Sequence, residues 1–265
     1  MHLKIINIFF LLVLLFFLGC KKTEQNKAAN KEDKPKSKLT EAEIFHETLE
    51  IYIPFHSDLR AGQVMEITVK QNSKLIALLV DTGDKVKKGD LVASLMKIKG
   101  NYEYTPIEIY TQFDGVVSQI QHHVGSIIPA GDRLMLIKDL SYMVANVVLK
   151  PEQMSLVKKH SKVVMQIQDK EITSSIDRIE RKKNEIQIIV GNKERYLKEQ
   201  KDIEGKILCG PIQGSYLLKK YVQGDSMQVQ LAEGIKFYIS FPAFTEDKAL
   251  IYPPIPDQDH LLLIE

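Results

Sequence analysis

Tryptophan is absent from the 265 residues, aromatics reach only 8%, and just two cysteines occur, Cys20 and Cys209. Two cysteines cannot supply a cysteine-built zinc site. Cys20 ends a long apolar N-terminal run, which leaves Cys209 without an intramolecular partner. Cys209 reads as a small buried apolar residue. Charge of one sign is also missing. The formal net charge is +2, and the only basic run, Lys21 to Lys38, reads as a solvated linker. A nucleic-acid binder concentrates basic residues on one face, so nucleic acid is excluded as a partner. No nucleophile elbow, phosphate loop or HExxH pattern is present, and the chain reads as a protein that is not an enzyme. His122 and His123 are adjacent; on a strand they face opposite ways and cannot share one metal ion. Met143, Met154 and Met165 fall on apolar faces and read as core.

The first apolar run is the one long hydrophobic stretch. Lys4 gives a positive start and Ile5 to Leu18 is almost unbroken apolar sequence. This run is short of the roughly 20 residues of a membrane-spanning helix. It fits the apolar part of a secretory signal. Phe17-Leu18-Gly19-Cys20 resembles the lipobox of bacterial lipoproteins, with Phe17 standing where that family usually has leucine. The resemblance implies a signal peptide over 1–19, cleavage before Cys20, and acylation of Cys20 as the only prosthetic addition. Residues 20–45 carry few apolar side chains and read as a disordered tether.

Comparison of the chain with itself yields one repeat. VDTGDKVKKGDLVASL, from Val80, matches HVGSIIPAGDRLMLI, from His123, at a constant offset of 42. Gly83 then matches Gly125, Val86 matches Ile128, Gly89 matches Gly131 and Asp90 matches Asp132. Each copy is flanked by β-rich apolar runs. Strand, tight turn, strand, used twice, is the expected local structure, because glycine accepts the positive φ of such turns without a Cβ clash. Two units too small to fold alone pack as a flattened sandwich with pseudo-twofold symmetry. Gly83, Gly89, Gly115, Gly125 and Gly131 are its candidate turn residues.

This pattern resembles the lipoyl/biotinyl-like fold. The stretch from Phe113 to Leu149, with Asp114-Gly115-Val116-Val117, Gly125, Pro129, Gly131, Leu134, Ile137 and Asp139-Leu140-Ser141, is similar to periplasmic adaptors (membrane fusion proteins) of resistance-nodulation-division efflux pumps. Lipoyl and biotinyl carriers hold a modified lysine on the hairpin between their halves, and Met96-Lys97 lies near that place. Its spacing differs from the carrier pattern and no Glu-Ala precedes Met96, so Lys97 reads as an exposed loop lysine. Typical adaptors insert a helical hairpin between the halves. Here the connection from Met96 to Ile107 contains Gly100 and Pro106, shows no heptads and is too short for two such helices.

Beyond Tyr142 the pattern has period two: Met143, Ala145, Val147 and Leu149 share a face. Lys150 to His160 reads as a short helix with Pro151 in its first turn. Strands follow at about 162–168, 172–180 and 185–190, and Ile235, Phe237, Ile239 and Phe241 mark a last barrel strand after Gly234. The expected fold is mainly β. A lipoyl/biotinyl-like sandwich over 63–140 is joined to an antiparallel β-barrel with a short helix over 141–245. A reduced membrane-proximal β-domain is expected from 46–62 and 246–265. The resemblance implies an adaptor in the periplasm, held at the inner membrane through the lipid on Cys20. Its implied partners are an inner-membrane efflux transporter, an outer-membrane channel and further copies of itself. A biotin or lipoyl carrier subunit and a stand-alone envelope lipoprotein are the alternatives.

Overall fold

A computed structural model describes residues 39–99, 102–255 and 258–264. Cys20, the signal sequence and the tether up to residue 38 lie outside the described residues. The first strand, β1 (Leu39–Thr68), is 30 residues long. β2 (Ser73–Leu78), β3 (Lys85–Val86), β4 (Leu91–Lys99), β5 (Tyr102–Tyr110), β6 (Gly115–Ile120), β7 (Ile127–Ile128) and β8 (Arg133–Val148) follow. The α1 helix (Pro151–Leu156) leads into β9 (Lys162–Ile167), β10 (Lys170–Glu180), β11 (Glu185–Gly191) and β12 (Gln200–Leu218). β13 (Ser226–Gln230), β14 (Lys236–Ser240), β15 (Lys248–Leu250) and β16 (His260–Ile264) complete the chain.

Three apolar cores organise these strands. In the barrel, β1, β12, β9, β10, β11 and β8 pair in that order and β8 returns to β1, so six strands close on themselves. Closure removes the open sheet edges that invite aggregation. Its interior takes alternate residues of each strand: Ile51, Ile53 and Phe55 from β1, Met143, Ala145 and Val147 from β8, and Val163, Met165 and Ile167 from β9. Met154 of α1 closes one side at 4% exposure. α1 starts at Pro151, which lacks the N–H that the first turn leaves unbonded, and Gln153 folds back to the Lys150 N–H at 2.9 Å.

The lipoyl-like module is a two-layer sandwich. One layer runs β3-β6-β8-β1 and the other β7-β2-β4-β5, around Leu75, Val86, Val92, Val117, Ile128, Leu134 and Ile137.

The third core gathers Ala42 and Ile44 of β1, Met227 and Val229 of β13, Ile239 of β14, and Leu261 and Leu263 of β16. Its extent differs from the sequence expectation in three ways. Leu39 to Phe45 are strand and not tether, because Ala42 and Ile44 alternate into this core while Glu41 and Glu43 face out. Residues 46–62 belong to the barrel, because Ile51, Ile53, Phe55 and Leu59 point into it and pair with β12. Residues 226–241, expected in the barrel, belong to the third core. β14 pairs with β13, β13 with β16, and β16 with Leu39–Glu43.

Candidate functional site

Within the lipoyl-like module the two repeat copies take the same backbone path. Gly83, Gly89, Gly125 and Gly131 have φ of 101°, 90°, 94° and 96°. An added Cβ would touch nothing within 4 Å at any of the four, so the φ angle alone selects glycine there. The hydrogen bonds repeat at the same offset. Gly83 N donates to Val117 O at 2.8 Å and Gly125 N to Leu75 O at 2.7 Å. Gly89 N donates to Thr111 O at 2.9 Å and Gly131 N to Val69 O at 2.7 Å. The short strands interlock: β3 pairs with β6 of the other copy, and β7 with β2. Val86 and Ile128, the middle residues between the turns, are 4% and 0% exposed. Gly115 differs from the other four glycines. Its Cβ would lie 2.8 Å from Lys138 O and 2.9 Å from Ile137 Cγ2, so close packing selects glycine at this position.

Two braces escaped the sequence comparison. Asn72 Oδ1 accepts from Ala130 N at 3.0 Å, and Asp114 Oδ1 accepts from Lys88 N at 2.8 Å. These are equivalent bonds, 42 residues apart, by which a residue ahead of each first strand ties down the second turn of the opposite copy. The edge strands are equivalent too: Glu66 lies opposite Leu136 as Glu108 lies opposite Ser94. The Glu-Ile pairs at 66–67 and 108–109 were the available signal. Val64, Ile67, Glu108, Ile109, Tyr110 and Phe113 line a groove of about 510 Å³ between these two edges. Glu108 accepts a hydrogen bond from the Tyr110 hydroxyl and raises its pKa.

β4 and β5 form a β-ribbon where the adaptor resemblance has a helical hairpin. Lys97 sits inside β4 opposite Ser73 and is half-buried, not an exposed loop residue, because β4 pairs out to Lys99. A carrier lysine is offered at a turn, and Lys97 is held in a ladder. His122 and His123 lie in the loop after β6, not on a strand, and no cluster of metal-ligating residues forms among the described residues. Cys209 is a free, buried thiol inside the barrel wall, and burial pushes its pKa up to about 11. At that value the nucleophilic thiolate is scarce at neutral pH. Met143, Met154 and Met165 are core residues. No helix among the described residues is long and apolar enough to cross a membrane.

Residues 58–137 match the Biotin_lipoyl family, described as biotin-requiring enzyme. No curated protein sequence matches the chain. In structure the chain is similar to ZneB from Cupriavidus metallidurans, with a TM-score of 0.66 and 12% identity over 86% of this chain and 92% of that one. It is similar to MacA from Actinobacillus actinomycetemcomitans, with a TM-score of 0.53 and 14% identity over 86% of this chain and 100% of that one. A MacA-MexA chimera carrying the Pseudomonas aeruginosa MexA α-hairpin domain gives a TM-score of 0.52 and 16% identity over 66% of this chain and 87% of that one. The chain is nearly all-β with a lipoyl-like module, as the sequence pattern implied, and shares its fold with ZneB and MacA.

Proposed function

We propose that this protein is a non-enzymatic periplasmic adaptor of an efflux transporter, anchored through lipid on Cys20. One observation carries the reading. The lipoyl-like module is inserted into a barrel whose strands β1 and β8 run straight into it, and ZneB shares that fold over 92% of its length. A scaffold of this kind works by contact and not by chemistry, and each separate contact can be weak. Anchoring one end raises the effective concentration of every other contact. The third unit and barrel dock an inner-membrane transporter. The lipoyl-like module and its β-ribbon face further copies and an outer-membrane channel. The module carries no prosthetic group in this reading.

Cross-linking in whole cells followed by pull-down is expected to recover an inner-membrane transporter, and deletion of the chain is expected to sensitise cells to that transporter's substrate. Failure to recover any transporter in membranes where the chain is abundant overturns the adaptor role and favours a stand-alone envelope lipoprotein. Labelling with radioactive palmitate is expected to mark the chain and to be lost in Cys20→Ser. The match of residues 58–137 to a carrier family supports a second reading, a biotin or lipoyl carrier. Intact mass decides it: an adduct on Lys97 would establish the carrier, and its absence is expected.

A further inference from the structure

The joint between the barrel and the lipoyl-like module contains a break in pairing. Ala61 of β1 lies opposite Met143 of β8, but Gln63 lies opposite Asp139. One residue, Gly62, therefore faces three, Leu140 to Tyr142. The Tyr142 ring fills the space over Gly62, within 2.3 Å of where a Cβ would stand. Such a bulge takes backbone groups out of the ladder, and each needs another partner.

Ser141 N donates to Asp139 Oδ1 at 2.8 Å, and the segment that follows β11 supplies partners for the carbonyls of Leu140 and Ser141 and for Ala61 N. Asn192 is fully buried; its N–H donates to Ser141 O at 2.8 Å and its Nδ2 to Leu140 O at 2.9 Å. The same side chain ties its own loop, donating to Leu197 O at 3.0 Å and accepting from Leu197 N at 2.9 Å. Leu197 is buried in the barrel core. Glu199 Oε1 accepts from Ala61 N at 3.3 Å, and Oε2 pairs with the Lys138 ammonium of the lipoyl-like module. One segment rooted in the barrel thus grips both strands that cross the joint.

The grip opposes two unfavourable features of the same segment. Arg195 holds φ at 57°, a left-handed conformation that costs any residue with a Cβ, and its Nη1 is buried without a hydrogen-bond partner. Opening of the segment relieves both.

We propose that Asn192–Glu199 is a strap that locks the joint between the barrel and the lipoyl-like module, and that its release frees the joint while both modules stay folded. The strap acts on the two crossing strands at their weakest point, where ladder bonds are missing. A stimulus that detaches Glu199 or Asn192 changes how the modules are coupled without unfolding either.

Residue-resolved hydrogen exchange on the full chain tests this. In Glu199→Ala the Ala61, Asn192 and Leu197 amides are expected to exchange about tenfold faster, the loss of roughly one hydrogen bond to a charged group. The amides of Gly83 and Gly125 in the lipoyl-like module and of Ile176 in the barrel are expected to keep their rates. Asn192→Asp, which replaces a donor by an acceptor facing two carbonyls, should repeat the pattern more strongly. Unchanged exchange of the three strap-linked amides in Glu199→Ala overturns the proposal. So does acceleration of Ile176 by the same factor, since the segment would then be only a part of barrel stability.

Discussion

The two copies of the repeat share a backbone but not a setting. In the first, β4 runs out into a two-stranded ribbon with β5; in the second, the equivalent strand β8 runs on into the barrel beside β1. Their turns are also stabilised differently. Asp84 Oδ2 accepts from Asp81 N, and Asp90 Oδ2 from Lys87 N, each at 2.8 Å. At the equivalent positions of the second copy, Ser126 Oγ is buried without a partner and Pro129 has no N–H to offer. The symmetry thus resides in glycine φ angles and main-chain bonds, while the side chains around them have specialised.

Three changes probe that division, from the largest expected effect to the smallest. Gly83→Val and Gly125→Val should each destabilise by about 1–2 kcal/mol or somewhat more, since a β-branched residue must hold a left-handed φ. Urea midpoints of the two variants should fall together; a loss at one site alone would break the equivalence of the copies. Next, Asp84→Ala should cost about 1 kcal/mol through a lost turn bond, while Ser126→Ala should be neutral or slightly stabilising. Equal losses in thermal scans would show that the turn side chains have not specialised. The smallest effect concerns Lys138, whose counterpart in the first copy is Met96. Burial raises the pKa of Glu199, but the Lys138 ammonium and the Ala61 N–H outweigh it and leave the carboxyl below its ordinary value. A depressed carboxylate contributes stability above its unfolded pKa, about 4.3, and loses it as pH falls through the folded value. Thermal midpoints measured from pH 7 downward should therefore fall less steeply in Glu199→Gln than in the parent chain.

Much of the lipoyl-like module was legible because positive φ leaves a residue-specific mark: glycine at 83, 89, 125 and 131. The edge strands left no such mark, since only Glu66-Ile67 and Glu108-Ile109 coincide and many β sequences satisfy an edge. Gly115, expected at a turn, opens strand β6 instead, and the approach of Lys138 O is what excludes a Cβ there. The limits of the third unit were not legible. The buried positions of β1 alternate at Ala42 and Ile44 and then, in the opposite phase, from Ile51 to Phe55, and a period of two says which side is buried but not in which core. The same ambiguity sent Ile239 and Phe241 to the barrel, although their neighbours are Ala42, Leu261 and Leu263. The strap at Asn192–Glu199 has no periodicity at all. It is found only from the carbonyls that the bulge sets free.

The 30-residue β1 strand has a consequence for the order in which the protein can fold. It is made first, yet Leu39 pairs with Ile264, Ile44 with Leu217 and Leu59 with Ala145. Each of its contacts awaits chain that has yet to appear, and contacts so distant in sequence form slowly. The nascent polypeptide therefore emerges with its longest strand unpaired, and the first residues of that strand, Leu39–Glu43, wait for β16. The lipoyl-like core can close once β8 has been made, the barrel waits for β12, and the third core waits for β16, so the longest strand is satisfied in stages from its far end back to its start.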